Sequence, residues 1–250
     1  MSTLNLQSWL RGVIADNLTE DAEFRRFSCK DRLHHITRAD IENYRDFHLQ
    51  KTLQYAYEKS YFYRQQFDRK GLKPEDIRGF ADLAQFPFTE PVHLSRFPYR
   101  FLCPSQADVV RPCTFVTSGT TGPRKQVFWT QWDLEKITDF MAAGIGTVAE
   151  SKDTVQILLF NGRPNSQADL LCQGVRKLGA NAVVPGAEPG PEEQLRILVE
   201  ARSTVVFGYA SQLYRISKEL QTKYNLKTKG VKFLFLAGEY LPPARRQELI

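Results

Sequence analysis

The 250 residues contain no uninterrupted apolar run of about 18, the length a helix needs to cross a bilayer, so no membrane partner is expected. The opening stretch, MSTLNLQSWLRGVIADNLTEDAEF, has an apolar patch broken by Arg11 and Asp16. With no basic start and no small-residue cleavage site, it does not read as a secretory signal. Cysteine is sparse: Cys29, Cys103, Cys113 and Cys172 are scattered, with no Cys-x-x-Cys pair. His34, His35, His48 and His93 stand at no ligand spacing from them, so no metal site is expected. Free thiols suit a reducing, cytoplasmic setting. Internal repeats and low-complexity tracts are absent too.

No strong charge of one sign is present either. The 34 basic and 28 acidic residues leave +6, spread out, with Arg245–Arg246 and KTKGVK at 227–232 as the largest clusters. A nucleic-acid binder gathers its charge on one face with aromatics interleaved, and none is expected here. Mild positive charge also suits a small polyanion such as a nucleotide, and charge alone does not choose.

What is present falls into two textures. Residues 1–110 are helical and aromatic: Leu49, Leu53, Ala56 and Tyr57 recur at spacings of three and four, one face of a helix. A stretch broken by Gly71, Pro74, Gly79, Pro87 and Pro91 follows, with a short helix expected at DIRGFADLA. Over residues 111–250, short Val-, Ile- and Phe-rich runs alternate with amphipathic segments. The strands are expected at 114–116, 126–130, 154–160, 181–185, 204–208 and 231–238. Helices are expected from a cap at Asp133 through Ala143, then at 168–178, 191–201 and 211–224. The pattern predicts an α/β fold, a helical N-terminal segment followed by a mostly parallel sheet flanked by helices. Ligands of such sheets sit beyond the carboxyl ends of the strands, here after Val116, Phe160, Gly208 and Leu236.

The first of those loops is the most informative. FVTSGTTGPRKQVFWT, residues 115–130, packs hydroxyls and glycines between two strand-like runs. Gly119 and Gly122 let backbone N–H groups turn inward as a nest. Thr117, Ser118, Thr120 and Thr121 add hydroxyl donors, and Arg124 and Lys125 add cations at the rim. That is the donor set of a polyphosphate clamp, although the same residues also make ordinary turns. A Walker loop fails because residue 124 is Arg, and a nucleophile elbow fails because Ser118 is flanked by Val116 and Thr120.

TSGTTGPRK resembles the phosphate-binding signature of the adenylate-forming ligases, and most nearly that of their phenylacetate–coenzyme A ligase branch. SYFYRQQFDRKGLKPEDIRGFADLAQFPFTE is similar to that branch's amino-terminal segment, and LKTKGVKFLFLAGEYLPPARRQELI to the strand carrying its Gly-Ala-Glu-Pro motif and the helix after it. The pattern differs at Pro123, displaced by one, at Ala237–Gly238 and Tyr240 in place of Gly-Ala and Pro, and at Glu90 in place of Lys. The resemblance covers about residues 45–250.

The resemblance implies activation of a small-molecule carboxylic acid by ATP with Mg²⁺, giving an acyl-adenylate that passes to coenzyme A. Thr117, Ser118, Gly119, Thr120, Thr121 and Gly122 would hold the β- and γ-phosphates, with Lys125 the catalytic cation at the rim. Gly238 and Glu239 would lie beside the adenylate. Phe160, Asn161, Gly208, Tyr209 and Ala210 would line the acyl pocket, a set that reads equally as loop packing. In that family a Tyr-Gly-x-Thr-Glu loop, a ribose-binding Asp and a lid with a catalytic Lys lie further along. The chain is therefore expected to be an amino-terminal portion without the lid domain, completed by a further segment or a second copy. The alternative is a noncatalytic nucleotide-binding fragment or one half of a split ligase.

Overall fold

The computed structural model describes residues 6, 8–13, 38–115, 125–160, 164–221 and 230–247. They form two compact units, Leu10–Asp133 and a second made of Leu134–Ile250 with Met1–Trp9. The change of texture near residue 110 thus falls inside the first unit. The reason is local: the strand after it packs on the preceding turn, with the Tyr99 and Phe128 rings 5.0 Å apart.

In the first unit, α1 (Arg38–Lys59) and α2 (Tyr61–Lys70) replace the single helix that the periodicity suggests. Ser60 makes the break. Its backbone is extended, and its buried hydroxyl accepts from Tyr63 N at 3.4 Å and donates to Arg100 O at 2.9 Å. A side chain that caps the next helix competes with continuation of the first. Gly71, at φ +65, ends α2, and the N–H of Leu72 returns to Phe67 O. Phe67 has no exposed surface and lies 5.3 Å from the Tyr57 ring and 4.2 Å from that of Phe86. The short helix expected at DIRGFADLA is a 3₁₀ turn, Phe80–Gln85, tied by the Asp82 carboxylate to Arg78 N and Gly79 N. After α3 (Pro91–Arg96), β1 (Val109–Phe115) and β2 (Lys125–Thr130) form a two-stranded antiparallel sheet. Phe115 pairs with Lys125 and brackets residues 116–124.

The helix α4 (Gln131–Ile145) starts where the first unit ends. Its cap is Thr130, whose hydroxyl accepts from Asp133 N at 3.2 Å, while Asp133 Oδ2 accepts from Thr130 N at 2.8 Å. Asp133, expected as the cap, is the third helical residue of a reciprocal capping box.

In the second unit, β3 (Thr154–Ile157), α5 (Gln167–Lys177), β4 (Asn181–Val183), α6 (Pro191–Glu200), β5 (Val205–Tyr209), α7 (Ala210–Gln221), β6 (Phe233–Ala237) and α8 (Pro243–Gln247) follow in order. The strands form one parallel sheet in the order β4-β3-β5-β6. Side-chain alternation divides its two faces. Val155, Ile157, Val205 and Phe207 pack with Ile145 of α4 and Ala168, Leu171 and Val175 of α5. Leu158 and Val206 pack with Leu195 and Leu198 of α6 and Leu213 and Ile216 of α7. These are the flanking helices that the alternating sequence predicts, and buried Leu and Val side chains of this kind each contribute about 1.5–3 kcal/mol.

At the amino ends of the strands, Asp153 is 3% exposed and receives hydrogen bonds from Lys232 Nζ (2.6 Å), Thr204 Oγ1 (2.8 Å) and Glu150 N (2.9 Å). Burial pushes its pKa up. The bonds from Lys232, Glu150 N and Thr204, with the Lys232 charge, outweigh that and hold it below the usual carboxylate value. A carboxylate with a depressed folded-state pKa adds stability above its unfolded value of about 3.9, and that stability fades as pH falls through the folded value. Asp153→Asn should therefore cost about 2 kcal/mol near neutrality and remove part of the acid-induced loss below about pH 4. Urea melts of both proteins between neutral and acidic pH check this; parallel pH profiles would refute it.

Candidate functional site

Strand order places the crevice. From the adjacent strands β3 and β5 the chain departs in opposite senses, through α5 toward β4 and through α7 toward β6, with α5 and α7 on opposite faces. Such a switch point opens a crevice at the carboxyl ends, where α/β sheets bind ligands. Here it is flanked by Leu159 and Phe160 after β3 and by Tyr209 and Ala210 after β5, with Gly238 and Glu239 after the neighbouring β6.

Tyr209 occupies the N-cap position of α7, and a tyrosine side chain cannot cap. Two other side chains do so. Gln212, the third helical residue, reaches back with Oε1 to Tyr209 N at 3.3 Å. Glu239 Oε2 accepts from Ser211 N at 2.8 Å, bringing a carboxylate from the next strand's loop to the donor that a capping Asp would satisfy. Glu239 thereby ties the β5 and β6 loops together.

The Tyr209 ring is left to support Gly238. That glycine is left-handed at φ +76, and a Cβ there would lie 2.9 Å from Tyr209 Cε1. Only glycine meets both constraints without strain. Gly208 is also fixed by packing, since a Cβ on it would lie 3.1 Å from Leu158 Cβ, across the β3–β5 pair.

The site residues expected from the sequence therefore divide. Tyr209, Gly238 and Glu239 are brought together. Phe160 stands at the same edge with 65% of its surface exposed, an open position for a large apolar ring. Gly208 and Ala210 are buried, Gly208 against Leu158 and Ala210 at the start of α7. Lys125 opens β2 in the other unit and is half-buried. Thr117, Ser118, Gly119, Thr120, Thr121, Gly122 and Asn161 lie outside the described residues. Sequence reading missed Gln212, whose place three residues after Tyr209 is the capping-box spacing, and Tyr240, 82% exposed beside Glu239.

Against known proteins, no protein-family model matches the chain. The phenylacetate–coenzyme A ligase of Aromatoleum evansii is 28% identical over 179 residues, 69% of this chain and 39% of that protein. That of Escherichia coli shows the same 28% over 179 residues. The chain is similar to the phenylacetate–coenzyme A ligases over that stretch. Its fold also matches 2-hydroxyisobutyryl-CoA ligase, in an open conformation in complex with 2-HIB-AMP and CoA. The TM-score there is 0.74 at 18% identity, covering 86% of this chain and 48% of that one. In the thioesterification state of that ligase the values are 0.74, 21%, 86% and 47%. The chain thus has the α/β fold of acyl-CoA ligases and spans about two-fifths of the length of the phenylacetate–coenzyme A ligases it matches. Among the described residues no helix is long and apolar enough to cross a membrane.

Proposed function

We propose that the chain is the nucleotide-holding part of an AMP-forming acid–thiol ligase, which activates a small carboxylic acid as its acyl-adenylate for transfer to coenzyme A. The similarity to phenylacetate–coenzyme A ligases over 69% of the chain is the observation that carries this reading. The 2-HIB-AMP and CoA bound to the structural relative support it. In this reading Thr117 to Gly122 bind the β- and γ-phosphates, with Lys125 neutralising charge at their rim. Carboxylate and triphosphate are both anions, so fixed amide dipoles and a cation must offset their repulsion before they meet in line.

Around the adenylate, Gly238 offers backbone without a side chain, and Phe160 and Tyr240 offer exposed rings for a planar group. Glu239 acts through the α7 N-terminus as a positioning residue. Mg²⁺, when bound, would neutralise phosphate charge. Among the described residues no group of three or more His, Cys, Asp or Glu could hold a metal ion. In this reading the ion arrives on the triphosphate, its usual partner.

The test is ATP-dependent protection against thermal unfolding. Thr120→Ala combined with Thr121→Ala, and separately Lys125→Ala, should each raise the Kd for Mg·ATP about tenfold without changing the melting temperature of the free protein. Unchanged affinity in both proteins would remove the loop from the mechanism.

A further inference from the structure

A cleft of about 150 Å³ opens between α6 and α7, beside the end of β3. Phe160, Tyr209, Gly238 and Glu239 are not among its lining residues, and Gln212, the α7 cap, is the one residue it shares with the crevice described above. Its apolar floor is Leu158 and Ile216, 1% and 6% exposed. Gln194 contributes a polar wall that is held from behind. Its Nε2 donates to Gly186 O at 2.8 Å, and its Oε1 accepts from Gln156 Nε2 at 3.1 Å. Gln156 Oε1 in turn accepts from Ser203 Oγ at 3.2 Å. Burying three polar side chains costs free energy unless every atom is paired. Here no buried side-chain polar atom among the described residues lacks a partner. The network fixes the loop after β4 at Gly186, whose φ is +87, so the wall of the cleft is preformed.

Charge at the cleft indicates the ligand. Glu188 and Arg215 both line it and both are exposed. Neither forms an ion pair with the other or with any described residue. Two opposite charges around an apolar floor, standing beyond pairing distance, discriminate against ligands of one sign: a lone carboxylate meets Glu188 and a lone ammonium meets Arg215. A molecule carrying both charges satisfies both. The volume takes a branched aliphatic group or a six-carbon ring.

We propose that this cleft is a binding site for a small zwitterion, an α-amino acid with a short apolar side chain whose carboxylate meets Arg215 and whose ammonium meets Glu188. The inference goes beyond the ligase reading and does not depend on it.

Methyl NMR of the full 250-residue chain tests it, with Leu158 and Ile216 as reporters. The probes are L-valine, 3-methylbutanoate, which lacks the ammonium, and isobutylamine, which lacks the carboxylate. L-Valine should give saturable shifts at both reporters, with about tenfold tighter affinity than either analogue. Arg215→Ala and Glu188→Ala should each lose that advantage. Absence of saturable shifts with L-valine overturns the proposal. So does an analogue that binds as tightly, or a valine titration unchanged in both variants. Because ATP enters none of these titrations, failure here leaves the ligase reading standing, and failure of the ATP assay leaves this one.

Discussion

Gly174→Ala should destabilise the protein by about 2 kcal/mol, although the substitution improves a helix. Gly174 lies inside α5, where Ala is favoured over Gly by about 1 kcal/mol on propensity alone. Packing argues the other way. A Cβ at 174 would lie 2.8 Å from Ala142 N and 2.8 Å from Met141 Cβ, both on α4. The obstacle includes backbone, so no side-chain rotation relieves it and the two helices must move apart. Overpacking of this kind costs about 1–3 kcal/mol, and a rigid neighbour puts it at the upper end. The net of about 2 kcal/mol corresponds to a fall of about 4–8 °C in Tm for a chain of this size. Gly174→Leu should abolish cooperative unfolding of the second unit. A Gly174→Ala protein more stable than wild type would show that α4 and α5 are not in contact there.

Gly238→Ala should cost about 2–3 kcal/mol and displace the Glu239 cap with it. An L-residue held left-handed pays about 1–2 kcal/mol. The 2.9 Å approach to the Tyr209 ring adds about 1 kcal/mol, because the ring can tilt in part. Tyr209→Ala removes only the second cost. In urea melts the double variant should therefore lose less than the sum of the two single variants. Strict additivity would mean that ring and glycine do not touch. Hydrogen exchange at Ser211 N should quicken in Gly238→Ala, since Glu239 shields that amide through a 2.8 Å bond.

What the sequence made legible follows from the range of the interactions involved. The parallel sheet and its helices could be read because each element carries its own periodicity, as in the run from Val155 to Ile157 or the buried stripe of α5. The break at Ser60 could not, since the decisive partner is the carbonyl of Arg100, forty residues away. Pairing of β1 with β2 in a separate antiparallel sheet is likewise a matter of register between strands, which a single strand's pattern does not encode. At the candidate site the residue types were legible in the sequence and their contacts within the fold were not. Glu239 attracts notice as an acid after a strand, yet what it binds is the Ser211 amide at the start of another element. Gly208 reads as a glycine at a loop and proves to be one that lets Leu158 approach.

The central proposal is that this chain holds a nucleoside triphosphate. Calorimetric titration of Mg·ATP into the wild-type chain tests it most directly. The account predicts one saturable site that persists in the presence of duplex DNA. A folded chain that takes up no Mg·ATP, or releases it to polynucleotide with a steep dependence on salt, would contradict it.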